Sequence, residues 1–325
     1  MPARGPGATA TAPRVGVVTV SYGSGEALRT FLESLRTHHG DEMPVAVVDN
    51  KPDIENVHDL AEEFGAAYVP LPRNPGYGAG MNAGVDALRA AQTNPGETFD
   101  AFFFCNPDVR FLAPAIAPLA ATLLADPLAG SIGPRLLNDD GSVYPSARHI
   151  PSVGTGAGHA LLGRVWPTNP WSRAYTDAAN YEEPRPAGWL SGAAVMVRAD
   201  VYDRVNGWDE AYFMHFEDVD LGWRIGRAGF TNLYEPGVSV EHTGAHSTTK
   251  HAVAAERAMT DSAIRFMRKR YSGALHAPLR VAITMGLRVR GTLRVWGARR
   301  HSSRRQALET NRDTESRMRR RRRVT

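Results

Sequence analysis

Glu217, Asp218 and Asp220 place three carboxylates in four positions, at what reads as the start of a helix. The helix dipole favours anions in a first turn. Asp220 also stands one turn before Arg224, the spacing of an ion pair on a helix surface. For Asp220 that structural explanation suffices. Glu217 and Asp218 invite a different one, because Tyr212, Phe213, Met214, Phe216 and Trp223 lie around them in the chain. Carboxylates set among large apolar groups are desolvated, which lifts their pKa towards general-base values. Proton abstraction is the chemistry this stretch points to, with Asp218 and Glu217 as its candidates.

A second chemical feature is Asn106-Pro107-Asp108, which follows the apolar run Ala101 to Cys105. A carboxylate at a strand end, held by a rigid proline, suits a hard divalent cation that bridges a diphosphate; ordinary turn chemistry has the same composition. His242 ends a later strand pattern and is a possible second metal ligand, although a lone histidine is by default a polar surface residue. Gly76-Tyr77-Gly78-Ala79-Gly80 resembles a dinucleotide fingerprint, but Met81 stands where its third glycine belongs, and the loop follows the third strand instead of the first. NAD is therefore rejected. A glycine-rich approach to the helix containing Asn82 still suits a phosphate or sugar hydroxyls. Trp189, Ser191, Gly192 and Ala193 precede another strand pattern, and the small residues there permit close approach of a ligand or of neighbouring backbone.

These groups need a scaffold, and the chain provides an alternating one. Strand patterns at Val15 to Val20, Val45 to Val48, Ala67 to Leu71 and Ala101 to Cys105 alternate with helical stretches at Glu26 to Thr37, at about Ile54 to Phe64, and after Gly80. That order predicts a parallel sheet with ligands at the C-terminal strand ends. The loops at 21–25, 49–53, 73–82 and 106–108 then share one edge. Further on, 131–134 reads as a strand and 138–141 as a hairpin turn. Thr231 to Tyr234 and Val238 to His242 read as two further strands. The segment from Ser146 to Pro186, with Trp166, Trp171 and Tyr175, shows little periodicity and reads as covering either a ligand or the core.

At 325 residues and 42% hydrophobic content the chain can bury a sizeable core. It has no apolar run long enough to span a membrane, and its first 14 residues read as a disordered, Pro- and Gly-rich N-terminus without a signal-peptide core. The lone Cys105 excludes an internal disulfide and points to a reducing cytoplasm. Charge is uneven. From Arg265 onward there are 19 Lys and Arg against 3 Asp and Glu, a balance of +16, which leaves −12 for the rest within the overall +4. The expected division is a domain over 15–250, with a nucleotide-binding half at 15–110 and an acceptor half at 130–250. C-terminal helices over 251–300 and a basic disordered tail over 301–325 follow. Val281, Met285, Val289, Leu293 and Trp296 fall on one helical face with arginines mainly opposite, which reads equally as an interfacial membrane helix or as packing on the domain. Nothing supports specific nucleic-acid recognition beyond the charge of Arg319 to Arg323.

Taken as an ordered set, Thr19-Val20-Ser21-Tyr22, Val48-Asp49-Asn50, Asn74-Pro75-Gly76-Tyr77-Gly78, Asn106-Pro107-Asp108-Val109, Ser191-Gly192-Ala193 and Glu217-Asp218-Val219-Asp220-Leu221 resemble the inverting family-2 glycosyltransferases of the GT-A fold. The resemblance covers about Val15 to Ser247. The stretches 140–148, 166–171 and 245–248 look more narrowly like actinobacterial rhamnosyltransferases. It implies an α/β architecture, a Rossmann-like, mixed but mainly parallel sheet flanked by helices, with a C-terminal helical extension. It implies a donor site at Val20, Tyr22, Asp49, Asn50, Asn74, Gly76, Gly78, Asn82, Asn106 and Pro107, with Asp49 on the base. Trp189, Ser191, Gly192 and Ala193 would meet the acceptor, Asp108 and His242 a divalent metal, Mg²⁺ or Mn²⁺, and Asp218 would be the base. The expected reaction moves L-rhamnose from dTDP-L-rhamnose to N-acetylglucosaminyl-diphospho-decaprenol, or to another polyprenyl carrier, at the inner face of the plasma membrane. This builds the peptidoglycan–arabinogalactan linker. One departure is Asn106, where the fuller metal motif has an aspartate. Alternatives are another donor such as galactofuranose, or a non-catalytic sugar-nucleotide-binding module. A homodimer is compatible with the sequence.

Overall fold

The computed structural model describes residues 12–52, 54–92, 94, 96–152, 181–244 and 252–296. The sheet forms where β-branched and aromatic runs are buried on both faces. Its strands are β1 (Val15–Ser21), β2 (Val45–Asp49), β3 (Ala67–Pro70), β4 (Ala101–Cys105), β5 (Val109–Phe111), β6 (Ala129–Leu137), β7 (Val143–Tyr144), β9 (Arg185–Ala187), β11 (Ala194–Arg198) and β12 (Thr231–His242). The order is β3-β2-β1-β4-β11-β6-β12-β5, with β7 added to β6 and β9 to β12. The first four strands are parallel to one another. β11 runs antiparallel to β4 and β6, and β12 parallel to β6. A separate ribbon pairs β8 (Ala147–Arg148) with β10 (Trp189–Leu190).

Alternate residues feed two cores, as a period of two demands. Val17, Val47, Phe103 and Cys105 face one side, under α1 (Gly25–His39), α2 (Val57–Glu63) and α4 (Ile116–Ala125). Val18, Val48, Phe102 and Phe104 face the other, under α3 (Tyr77–Ala90), α5 (Ala199–Arg204) and α6 (Glu217–Arg227). Gly80 permits the approach of α3 to β1, since a Cβ there would fall 2.8 Å from Val20 Cγ2. The mixed, mostly parallel sheet with helices on both faces is the architecture expected above.

Several boundaries differ from the sequence reading for physical reasons. α2 starts three residues late because Glu55 and Asn56 are left-handed, at φ 63° and 52°, and the Glu55 carboxylate accepts the Gly25 N–H at the start of α1. The two strands expected at 231–242 are one strand, β12, whose pairing with β6 shifts register between Glu235 and Ser239. The 138–141 turn does close a hairpin, β6 to β7, with Gly141 at φ 78°.

By chain contacts there are two compact units, Met1–Phe213 with Glu217–Gly244, and Met214–Phe216 with Ala245–Thr325. In the second, α7 (Ala252–Arg270) and α8 (helical over 277–296) pack through Gly291 beside Thr260 and an Arg294–Glu256 ion pair. Ser262 donates to the Met214 carbonyl, and Phe216 meets Phe266 at 5.7 Å. Leu287 and Val295 are half-buried on the same side of α8 as Thr284 and Gly291. The stripe Val281, Met285, Val289, Leu293 and Trp296 is more than half exposed at every position. Trp166, Trp171, Tyr175, His246 and the Arg319–Arg323 tail lie outside the described residues.

Candidate active site

The site lies where β1, β2 and β4 end. Register places Ser21 beside Asp49 and Thr19 beside Cys105, so the loops after these strands leave from one edge. Asp49 is buried, its carboxylate held by the Lys51 N–H at 2.9 Å and the Tyr68 hydroxyl at 3.2 Å. The Lys51 ammonium stands over the exposed Tyr22 ring. Asn50 ties this edge to the glycine loop: its amide donates to Asn74 Oδ1 at 3.0 Å and to the Gly76 carbonyl at 3.1 Å. The Gly76 N–H reaches back to Asn74 Oδ1. Gly76 sits at φ 107°, and a Cβ there would fall 2.3 Å from the Phe213 carbonyl oxygen. That loop geometry requires glycine.

Next to it, the Asn106 N–H donates to the Ala193 carbonyl at 3.0 Å, and Pro107 carries the turn to Asp108. His242 Nε2 stands 3.3 Å from Asp108 Oδ1 and 3.2 Å from Asn106 Nδ2. The β12–β5 pairing creates this meeting, because it sets His242 opposite Val109. Thr243 binds the Asp108 carbonyl through its N–H and hydroxyl, and the Tyr144 ring packs edge-on to His242. Asp108 Oδ1 is buried and accepts no hydrogen bond. Two donors about 3 Å apart, one an unsatisfied carboxylate oxygen, suit adjacent positions on a hexacoordinate Mg²⁺ or Mn²⁺. No group of three His, Cys, Asp or Glu gathers among the described residues.

The carboxylate stretch opens α6 on the same side. Asp218 accepts the Val219 N–H at 2.8 Å and the Gly192 N–H at 3.2 Å. The Gly192 carbonyl accepts the Tyr77 hydroxyl at 2.6 Å. A Cβ on Gly192 would touch Tyr77, Trp208 and Asp218 together. Asp218 is therefore packed against the α3 N-terminus through one glycine. Burial pushes its pKa up, against the opposing pull of the two N–H donors and, more weakly, of Arg148. The desolvating aromatics are not all those adjacent in sequence: Phe213 is half-exposed, the Tyr212 hydroxyl serves Asp220, and Tyr77 and Trp208 pack across Gly192 instead. Glu217 is buried beside Gly78.

Asp220 is fully buried. It bonds Arg224, which also donates to the Val205 and Gly207 carbonyls. The pair expected on the surface is an internal joint, and removing one partner would cost about 3–5 kcal/mol.

The Asn82 side chain is engaged within the fold. Its amide donates to the Trp208 carbonyl and Glu210 and accepts from the Tyr202 hydroxyl and the Trp208 N–H. This is a structural joint that exhausts the side chain's capacity. Ser191 accepts the Ala193 N–H at 3.3 Å, and the Trp189 indole donates to the His149 carbonyl at 3.1 Å. Tyr77 and Arg148 lie in stretches that carry the family resemblance, but the sequence assigns neither of them a role at the site.

Known proteins match this arrangement. The family model described as glycosyl transferase family 2 matches residues 16–205, and a second, glycosyltransferase like family 2, matches 172–260. The N-acetylglucosaminyl-diphospho-decaprenol L-rhamnosyltransferase of Mycobacterium tuberculosis is 37% identical over 292 residues, 89% of this chain and 95% of that protein. The rhamnosyltransferase WbbL of Escherichia coli is 24% identical over 78% of this chain and 92% of its own length. Among solved structures, the mannosyltransferase PcManGT of Pyrobaculum calidifontis in complex with GDP-Man and Mn²⁺ aligns with a TM-score of 0.53. Its identity is 14%, over 92% of this chain and 76% of that one.

Proposed function

The chain belongs to glycosyl transferase family 2 and has the GT-A fold, and from that premise we propose which sugar this glycosyltransferase moves and how. It transfers L-rhamnose from dTDP-L-rhamnose to N-acetylglucosaminyl-diphospho-polyprenol, the step that joins peptidoglycan to arabinogalactan. The mycobacterial relative's acceptor and sugar, over nearly the whole of both chains, support that assignment. The observation that carries the mechanism is the half-buried Asp218, clamped by Gly192 and Val219 with its pKa raised.

Asp218 takes the proton of the acceptor hydroxyl as that oxygen attacks the anomeric carbon. The new C–O bond forms while the anomeric carbon–phosphate oxygen bond breaks. The electron pair leaves on the nucleoside diphosphate, and the configuration inverts. One base suffices because the leaving group is already a good one, in contrast to the paired carboxylates of hydrolases. Glu217, behind Gly78, supports the loop from which the donor is held. Asp49, Asn50, Asn74 and Gly76, with Val20 and Tyr22, bind the nucleotide. Asp108 and His242 would hold Mg²⁺ or Mn²⁺, whose charge would stabilise the departing diphosphate. Trp189, Ser191, Gly192 and Ala193 face the acceptor sugar.

The acceptor is a lipid, and the exposed stripe of α8 fits a membrane surface. Arg288 and Arg290 flank that stripe on the helical wheel, the pattern of an interfacial helix on anionic lipid. Among the described residues no helix is long and apolar enough to cross a membrane. Peripheral attachment at the cytoplasmic face is the reading that results. Transfer of radiolabel from dTDP-rhamnose to polyprenyl-diphospho-GlcNAc, with and without EDTA, tests the whole assignment. A labelled, EDTA-sensitive glycolipid is expected. Nucleotide binding without transfer would move the donor to another sugar.

A further inference from the structure

Arg148 is a cation beside the reacting centre that the mechanism above does not use. Its Nε donates to the Pro145 carbonyl at 2.8 Å. The guanidinium lies 5.7 Å from the Trp189 ring and 5.9 Å from the Tyr144 ring. Trp189 is its register partner across the β8–β10 ribbon, and Tyr144 also packs on His242 at 5.8 Å. The group is therefore oriented through one edge and two aromatic faces, between β10, which leads into the Gly192 loop, and Tyr144, which packs on His242. Among the described residues its two terminal amino groups make no hydrogen bond and no carboxylate pairs with it.

An oriented fork whose two amino groups make no hydrogen bond among the described residues has the geometry that recognises phosphate oxygens in a bidentate manner. The electrostatics ask for such a group. An ionised Asp218 repels any phosphate brought near the reacting hydroxyl, and a fixed guanidinium attracts both. We propose that Arg148 binds a substrate diphosphate beside Asp218. The inference rests on the transferase reading, in which donor and acceptor each carry a diphosphate, and it gives the site a protein cation in addition to any metal.

The test compares Arg148→Gln and Arg148→Lys with the wild type, after circular dichroism shows that each is folded. The KM of three substrates is measured: dTDP-rhamnose, polyprenyl-diphospho-GlcNAc and a neutral alkyl glycoside of GlcNAc. A rise on the order of tenfold to hundredfold in Arg148→Gln, confined to the diphosphate acceptor, assigns the acceptor's diphosphate. The same rise for dTDP-rhamnose assigns the donor's. Either supports the proposal. KM values that all stay put overturn it, even if kcat falls, because a merely structural arginine would lower kcat alone. The acid limb of the pH–rate profile should move to higher pH in Arg148→Gln and stay in Arg148→Lys. A readout free of turnover separates this inference from the function it rests on. Inorganic pyrophosphate in EDTA should raise the melting temperature of the wild type and not of Arg148→Gln, and equal shifts in both proteins would overturn it.

Discussion

The Gly192 N–H donates to Asp218 Oδ2 at 3.2 Å, so the carboxylate that opens α6 is held by the loop between β10 and β11. The same glycine accepts the Tyr77 hydroxyl, whose proton stays on because burial raises the Tyr77 pKa well above its ordinary value. The base is thus fixed by backbone on one side and by the α3 N-terminus on the other, before any substrate arrives.

Asp218 should leave a signature in stability. Its pKa is raised in the folded protein, so the native state holds this proton more tightly than the unfolded chain does. Stability then falls as pH rises between the unfolded and the folded value. Asp218→Asn removes that titration. The wild type should gain on the variant as pH is lowered from neutrality into the acid range, in paired thermal melts. Parallel curves would mean that Asp218 titrates alike in both states.

Metal binding should respond to the missing carboxylate. Asn106→Asp adds a charged oxygen beside His242 and should lower the Mn²⁺ concentration for half-maximal transfer by on the order of tenfold, while His242→Ala should raise it. Unchanged metal titrations in both variants would take Asp108 and His242 out of that role.

Asn82→Ala should behave as a stability mutant. Losing the bonds to Trp208, Tyr202 and Glu210 should cost about 1–3 kcal/mol in denaturant unfolding. The donor KM of the surviving folded enzyme should not change. A selective rise in donor KM would return Asn82 to the nucleotide site.

The exposed face of α8 should matter for lipid and not for chemistry. Val289→Glu combined with Leu293→Glu should abolish co-sedimentation with anionic vesicles and leave transfer to a short-chain soluble acceptor intact. Undiminished vesicle binding would assign the stripe to another partner.

The parallel half of the fold was legible because Val15 to Val20, Val45 to Val48 and Ala101 to Cys105 are buried on both faces and read as continuous apolar runs. β12 was not, since Glu235-Pro236-Gly237 looks like a break and only the pairing with β6 carries the chain through it. β5 is three residues long and owes its existence to His242 and Val240 opposite. In the site, Asp218 and Asp108 announced themselves by type and position. Arg148 did not, because an arginine in a turn-rich stretch is ordinary until Trp189 is seen beside it. Asn82 has a place after the glycine loop that fits a ligand, and only the fold shows its side chain bonded to Trp208 and Tyr202.

The most direct test of the account is the turnover of Asp218→Asn in rhamnosyl transfer, measured on protein whose melting and nucleotide binding match the wild type. Loss of the general base should lower kcat by on the order of 10²–10⁴ and leave the donor KM nearly unchanged. Turnover close to that of the wild type would contradict the assignment of Asp218 as the base and, with it, the mechanism built on the Gly192 clamp.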